Sequence, residues 1–232
     1  MSTITPEHRA ALLERLRGRL IVSCQAYPGE PLRDPEVTRR MALAVLQGGA
    51  AGLRAQGLED LRAIRASTDV PLIGLWKDGP AEVHITPTVR HAEAVAATGA
   101  DIVALDATDR PRPDGQPLSA SIEAVHRAGR LVMADVSTEA EGIEAARLGA
   151  DLVGTTLSGY TPSTPRTEGP DLALVARLSA ALDVPVVAEG RVHTPDQAAQ
   201  ALAAGAFTVV VGTAITHPTT LTHWFATRLR QD

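Results

Sequence analysis

The sequence predicts an α/β fold, a single (β/α)8 barrel (TIM barrel) that spans residues 1–232 as one domain. The length is close to the roughly 250 residues that such a barrel typically needs. A Gly-Ala pair followed by a short apolar run recurs along the chain, at intervals of 50, 50 and 56 residues. The pairs begin at Gly49, Gly99, Gly149 and Gly205.

A second apolar run lies in each interval, and one more precedes them all, which gives eight runs. Short runs rich in Val, Ile and Leu are typical of parallel strands that are buried on both faces. We therefore expect strands within residues 18–25, 48–57, 70–76, 98–106, 129–135, 148–156, 184–190 and 204–213.

The segments between the runs carry apolar residues at helical spacing, and several begin with a capping residue or proline and end near glycine. They predict helices at 35–47, 58–67, 91–98, 118–128, 138–148, 171–182 and 194–204. A β–α alternation at near-constant pitch favours a closed barrel over a doubly wound open sheet.

The composition limits the possible partners and location. No apolar run approaches the roughly 20 residues that span a bilayer, and residues 1–20 are charged and lack a signal-peptide core. One cysteine excludes an internal disulfide, so we expect a cytoplasmic protein. The net charge of −5, without a basic run, argues against nucleic acid or membrane as a partner.

Lys77 is the only lysine among 22 basic residues. A guanidinium keeps its proton near neutral pH, whereas a buried amine can release it, so a single lysine among arginines suggests a specific chemical role. A general drift of the composition toward arginine is the alternative explanation.

Polar residues follow the predicted strands at their carboxyl ends, where barrel enzymes have their active sites. Lys77 and Glu189 form a candidate acid–base pair, with a structural salt bridge as the alternative. Burial and nearby arginines would lower the pKa of Lys77, and Glu189 would raise it; the residues alone do not decide which prevails. Gln25, Arg54 and Asp135 are candidate substrate ligands, although strand-end polar groups also serve loop backbone.

Two glycine-containing turns follow the seventh and eighth predicted strands. Gly190 and Arg191 lie in the first, and Gly212 and Thr213 in the second. In many barrels these two loops bind a phosphate through backbone N–H groups, although two ordinary tight turns would give the same pattern. No histidine follows a strand in a metal-site pattern and no nucleotide-binding motif is present, so we expect neither metal nor cofactor.

Several blocks carry a resemblance to a known family. They are LIVSCQA at 20–26, GGAAGLRAQG at 48–57, PLIGLWK at 71–77, ITPT at 85–88, ALDATDRPRP at 104–113, MADVST at 133–138, GTTLSGYTP at 154–162, VAEGRVHTP at 187–195 and VGTAIT at 211–216. With these blocks in order over nearly its whole length, the chain resembles the NanE-type N-acetylmannosamine-6-phosphate 2-epimerases of bacterial sialic acid catabolism.

The resemblance implies a cofactor-independent epimerase that interconverts N-acetylmannosamine 6-phosphate and N-acetylglucosamine 6-phosphate. It implies that Lys77 is catalytic with Glu189 beside it, and that Gln25, Arg54 and Asp135 bind the sugar. It also implies that Gly190, Arg191, Gly212 and Thr213 bind the phosphate. The chain departs from the family after Lys77, where it has Asp78 instead of a basic residue and a shorter loop before ITPT.

Two other functions fit the same barrel: a Schiff-base aldolase or lyase, and a non-catalytic sensor of sugar phosphates. We also expect a homodimer, because barrels of this class commonly pair and residues 217–225 carry apolar side chains near the C-terminus.

Overall fold

The structure, a computed structural model, describes residues 4–230. Eight parallel strands form a closed barrel in chain order, and β8 pairs with β1 through Ile21 and Val210. This closure confirms the predicted (β/α)8 fold and excludes the open sheet. The strands are β1 (Leu20–Cys24), β2 (Gly52–Gln56), β3 (Leu72–Leu75), β4 (Ile102–Asp106), β5 (Leu131–Asp135), β6 (Leu152–Gly154), β7 (Val186–Glu189) and β8 (Thr208–Val211).

Helices alternate with the strands, and seven of them correspond to the predicted segments. The helices are α1 (Pro6–Glu14), α2 (Pro35–Gln47), α3 (Leu58–Arg65), α4 (Val89–Ala96), α5 (Leu118–Arg127), α6 (Glu139–Arg147), α7 (Leu172–Ala181), α8 (Pro195–Ala203), α9 (Thr213–Thr216) and α10 (Pro218–Leu229).

Helix α4 begins two residues before the predicted segment, because the Thr88 side chain caps it by accepting the N–H of His91. Helices α1, α9 and α10 were not predicted. None of the described residues of α10 is buried, so none of its side chains joins the core.

The strands separate two layers of apolar side chains. Inward-facing residues such as Ile73, Ile102 and Met133 fill the barrel, and Leu12 and Leu16, in and just after α1, belong to the same buried cluster. The other layer lies between the strands and the helices. Because α1 contributes to the interior cluster, the N-terminal end of the barrel is covered and the cavity opens at the C-terminal end.

A short hairpin after β3 positions Lys77. Lys77 forms an isolated antiparallel bridge with Ile85, and the Thr86 N–H donates to the Trp76 carbonyl over 2.8 Å. The Asp106 N–H at the end of β4 donates to the Ile85 carbonyl over 3.0 Å, which ties the hairpin to the neighbouring strand. Lys77 is therefore held by backbone pairing although β3 ends two residues earlier. Within residues 4–230, no helix has the length and apolarity to cross a membrane.

Candidate active site

A cavity of about 400 Å³ lies at the carboxyl ends of the strands. This is the end where barrel enzymes have their active sites. Seven of the nine residues predicted to form the site line the cavity: Gln25, Lys77, Glu189, Gly190, Arg191, Gly212 and Thr213. Arg54 and Asp135 lie beneath it.

The Lys77 amine lies inside this cavity and donates to Gln25 Oε1 over 2.8 Å. Burial lowers its pKa from 10.5 to about 8, and the guanidinium groups of Arg54 and Arg33 contribute to the decrease. The carboxylates of Glu189 and Asp135 oppose it. Burial and the arginines therefore outweigh Glu189, and the pKa of Lys77 is lowered. A useful fraction of the amine is neutral near neutral pH as a result.

Glu189 ends β7, and its carboxylate accepts from the Thr156 hydroxyl over 3.2 Å and lies 3.2 Å from Arg54 Nη1. Burial raises the pKa of this carboxyl; the Arg54 guanidinium opposes the increase and the Asp135 carboxylate adds to it. Across the described residues no ion pair within 4.0 Å joins Lys77 and Glu189; Arg54 is the cation paired with Glu189. This arrangement does not support the alternative of a salt bridge across the barrel mouth.

The structure does not bring Arg54 and Asp135 to the cavity surface, although the sequence suggested both as substrate ligands. Their side chains are 1% and 0% exposed and form a two-point ion pair across the barrel, with N–O distances of 2.6 and 3.2 Å. The reason is that both side chains point inward beneath the cavity and meet. In this position they support Glu189: Arg54 contacts its carboxylate, and the Thr156 hydroxyl hydrogen-bonds both Asp135 and Glu189.

The predicted phosphate end of the cavity has unusual backbone geometry. Gly190 has a φ of 107° and Arg191 a φ of 55°, so two successive residues occupy the left-handed region. Gly212 precedes α9, which begins at Thr213, and the first N–H groups of a helix have no acceptor within it. The backbone on both sides therefore presents N–H donors suited to an anion.

The Arg191 guanidinium serves a different purpose from the one anticipated. It donates to the carbonyls of Ser158 and Gly169 and to the Thr167 hydroxyl, all in the loop between β6 and α7. Its hydrogen bonds thus hold this loop against the cavity.

The cavity is also lined by residues that were not predicted to belong to the site, among them Tyr27, Arg110, Thr156 and His217. Arg110 pairs with the buried Asp106 over 2.8 Å, and burial raises the pKa of that carboxyl. Thr156 follows a predicted strand and was recognisable by position. Tyr27, Arg110 and His217 lie in loops, where position gives less guidance. One sequence signal pointed to Tyr27: the chain is poor in aromatics, and both of its tyrosines, Tyr27 and Tyr160, lie in strand-to-helix loops.

The residues that could carry cysteine or metal chemistry do not form a reactive centre within residues 4–230. Cys24 is fully buried, and burial raises the pKa of its thiol to about 12, which is typical of a core residue and not of a nucleophile. Within residues 4–230, no cluster of three His, Cys, Asp or Glu side chains could hold a metal ion.

The fold and the lysine–carboxylate cavity are those of a barrel enzyme, and comparison with known proteins identifies its family. Residues 38–231 match the family model described as "Putative N-acetylmannosamine-6-phosphate epimerase". The chain is 53% identical over 222 residues to the putative N-acetylmannosamine-6-phosphate 2-epimerase of Cutibacterium acnes, covering 94% of this chain and 97% of the relative. It is 47% identical to that of Escherichia coli O157:H7, with coverage of 92% and 93%.

A solved structure of the N-acetylmannosamine-6-phosphate 2-epimerase from Clostridium perfringens superimposes with a TM-score of 0.92 at 43% identity, covering 98% of this chain and 99% of that one. The chain belongs to this epimerase family and is an enzyme of the isomerase class.

Proposed function

We propose that this enzyme interconverts N-acetylmannosamine 6-phosphate and N-acetylglucosamine 6-phosphate by proton transfer at C2, with Lys77 as the base. The names of its relatives supply the substrate. The observation that carries the proposed mechanism is the only lysine of the chain, located in the cavity with its pKa lowered to about 8.

The chemistry of the substrate explains why such a base is needed. In the open-chain sugar C2 lies beside an aldehyde, which makes its proton acidic. Neutral Lys77 removes this proton, the electron pair delocalises onto the aldehyde oxygen, and a proton returns to the opposite face of C2. A base with a pKa close to the working pH is efficient in this step, and such catalysis contributes typically 10²–10⁴-fold in rate.

Glu189 is suited to be the partner acid, because its raised pKa keeps a fraction of the carboxyl protonated near neutral pH. In this assignment Glu189 supplies the proton to the second face of C2, or it donates a hydrogen bond to the aldehyde oxygen while a substrate hydroxyl passes the proton from Lys77 to that face. Gln25 orients the Lys77 amine. Arg54, which is itself paired with Asp135, contacts the Glu189 carboxylate from below.

The 6-phosphate fits the opposite side of the cavity, at the backbone of Gly190, Arg191, Gly212 and Thr213. Anions bind favourably at such turns because several N–H dipoles point at one position. With the phosphate there and C2 at Lys77, the substrate spans the cavity, and no cofactor is needed for the reaction. The reaction belongs to amino-sugar and sialic acid catabolism in this proposal.

Proton NMR of either sugar phosphate with the enzyme in D2O tests the proposed reaction. We expect conversion to the epimer with deuterium entering at C2. Saturable binding without conversion over hours would contradict the proposal and favour a sensor. A substrate-dependent borohydride adduct on Lys77 would favour Schiff-base chemistry instead. Deuterium incorporation also separates the two roles of Glu189, because a shielded relay from Lys77 to C2 returns the original proton in part of the product.

We further propose that the enzyme is a homodimer, with α10 contributing to the interface. Phe225 and Leu229 are 73% and 82% exposed, and Trp224 is 39% exposed. Large apolar side chains that are exposed close together are typical of a protein interface. Light scattering at micromolar concentration should give twice the mass of the chain; a monomer would contradict this proposal.

A further inference from the structure

The loop of residues 25–34, which follows β1, contacts both the Lys77 amine and His217 in the C-terminal part of the chain. Tyr27 belongs to this loop, lines the cavity, and has its ring centroid 5.4 Å from Lys77 Nζ. Tyr27 is 54% exposed, so it contacts solvent as well as the cavity. Its side chain is therefore adjacent both to the Lys77 amine and to water.

Two residues hold Tyr27 in this position. Glu30 accepts the Tyr27 backbone N–H over 2.7 Å and pairs with His217 Nε2 over 2.9 Å. The His217 ring meets the Tyr27 ring edge-on, with centroids 5.2 Å apart. His217 is itself fixed between α9 and α10, because its Nδ1 lies 2.6 Å from the Thr220 hydroxyl. The position of Tyr27 is therefore set by contacts from both its backbone and its ring.

We propose that Tyr27, held by the Glu30–His217 pair, is a positioning residue that shields the Lys77 amine from water and keeps it reactive. The inference rests on the proposed role of Lys77 as the base. It adds the residue that keeps the Lys77 amine from being fully solvated.

The charged groups around Lys77 are consistent with this role. Arg54 and Arg33 act to lower its pKa, and Glu189 and Asp135 act to raise it, so these charges partly cancel. Burial is the largest cause of the lowered pKa. A ring near an ammonium also attracts the cation, which would raise the pKa, but 5.4 Å is close to the roughly 6 Å limit of such contacts. Removal of the ring should therefore act mainly by admitting water.

The only lysine of the chain allows a direct test on the whole enzyme. The rate at which an amine reagent modifies Lys77 is measured against pH by mass spectrometry of the Lys77 peptide, which separates it from the N-terminus. Tyr27→Ala should raise the midpoint by about half to one pH unit, because water solvates the charged amine. Tyr27→Phe keeps the ring and should leave the midpoint unchanged. Tyr160→Ala removes the other tyrosine of the cavity, whose ring lies beneath Arg191, and should leave it unchanged as well.

Glu30→Ala tests the support of the ring with Tyr27 itself retained. It should move the midpoint in the same direction by a smaller amount, whereas Glu36→Ala, which removes a charge that pairs with Arg39 and Arg40, should not. An unchanged or lowered midpoint in Tyr27→Ala would overturn the inference.

The pH profile of kcat/KM in the same variants separates this inference from the proposed function. If Lys77 is the base, the profile of Tyr27→Ala shifts together with the labelling midpoint. A shift in labelling without a shift in kcat/KM would leave the shielding intact and contradict the role of Lys77 as the base.

Discussion

The two ends of the barrel use charged residues in different ways. At the N-terminal end, Asp101 pairs with Arg65 over 2.6 Å and also accepts the N–H of Leu72 over 2.9 Å. Asp151 likewise accepts the N–H of Val132, and it pairs with His126. Each carboxylate joins the start of a strand to a helix side chain, so its charge stabilises the fold directly.

At the C-terminal end the charges are buried but not matched one to one. Arg54 pairs with Asp135 and also contacts Glu189, while Lys77 has an amide oxygen as its hydrogen-bond acceptor. Burial of these groups displaces the pKa values of Lys77 and Glu189 toward neutrality, and the neighbouring charges do not cancel the shift. Saturated pairs in this barrel therefore stabilise the structure, whereas incompletely paired buried charges indicate chemistry.

Lys77→Arg should have the largest effect at the C-terminal end. Arginine preserves the positive charge and similar bulk but does not give up its proton near neutral pH. We expect kcat to fall by about 10²–10⁴-fold, as for loss of a general base, with substrate binding retained. Steady-state kinetics and calorimetry measure both quantities. An arginine variant with a tenth of the wild-type rate or more would contradict the proposed mechanism.

Arg191→Ala should weaken binding of the 6-phosphate sugar by about 10- to 100-fold, the effect expected when a charge-assisted contact is lost. The guanidinium anchors the loop between β6 and α7, so the effect should reach the phosphate through the backbone of this loop and appear mainly in KM. Arg166→Ala removes an exposed arginine from the same loop and serves as the matched control. Equal affinity of Arg191→Ala and wild type would contradict a phosphate site that depends on this loop.

Asp101→Asn should affect stability and leave chemistry unchanged, the opposite of Lys77→Arg. It weakens the ion pair with Arg65 at the N-terminal end, and we expect a loss of about 1–3 kcal/mol in the free energy of unfolding. Denaturant unfolding measures this loss, and kcat at low temperature should equal that of wild type. A large decrease in kcat of the folded variant would break the distinction between the two ends.

Lys77→Met should have the smallest effect, a gain in stability on the order of 1 kcal/mol. The folded-state pKa of Lys77 lies below its ordinary value, so folding is opposed by the buried ammonium below pH 8 and unopposed above about pH 10.5. The gain should therefore be present at pH 7 and disappear at high pH. Thermal unfolding at both pH values measures it; a destabilised variant at pH 7 would indicate a structural role for Lys77.

The barrel was predictable because the recurring Gly-Ala pairs and apolar runs reflect strands buried on both faces. Helices α1 and α10 were missed because their apolar residues do not form a clear stripe. Lys77 and Glu189 were recognised from their positions after strands. The direction of a side chain is not encoded locally: Arg54 meets Asp135 from the opposite side of the barrel, and a positive φ turns Arg191 toward a distant loop. For the same reason the contact of Tyr27 with His217 could not be anticipated.

The most direct test of the central claim compares two curves for the wild-type enzyme: the modification rate of Lys77 against pH and kcat/KM against pH. Neutral amine is the reactive form in both measurements. The proposed mechanism predicts a common midpoint near pH 8, with kcat/KM falling about tenfold for each pH unit well below it. A labelling midpoint near 10.5, or a kcat/KM that stays constant between about pH 6 and 8, would contradict the role of Lys77 as the base.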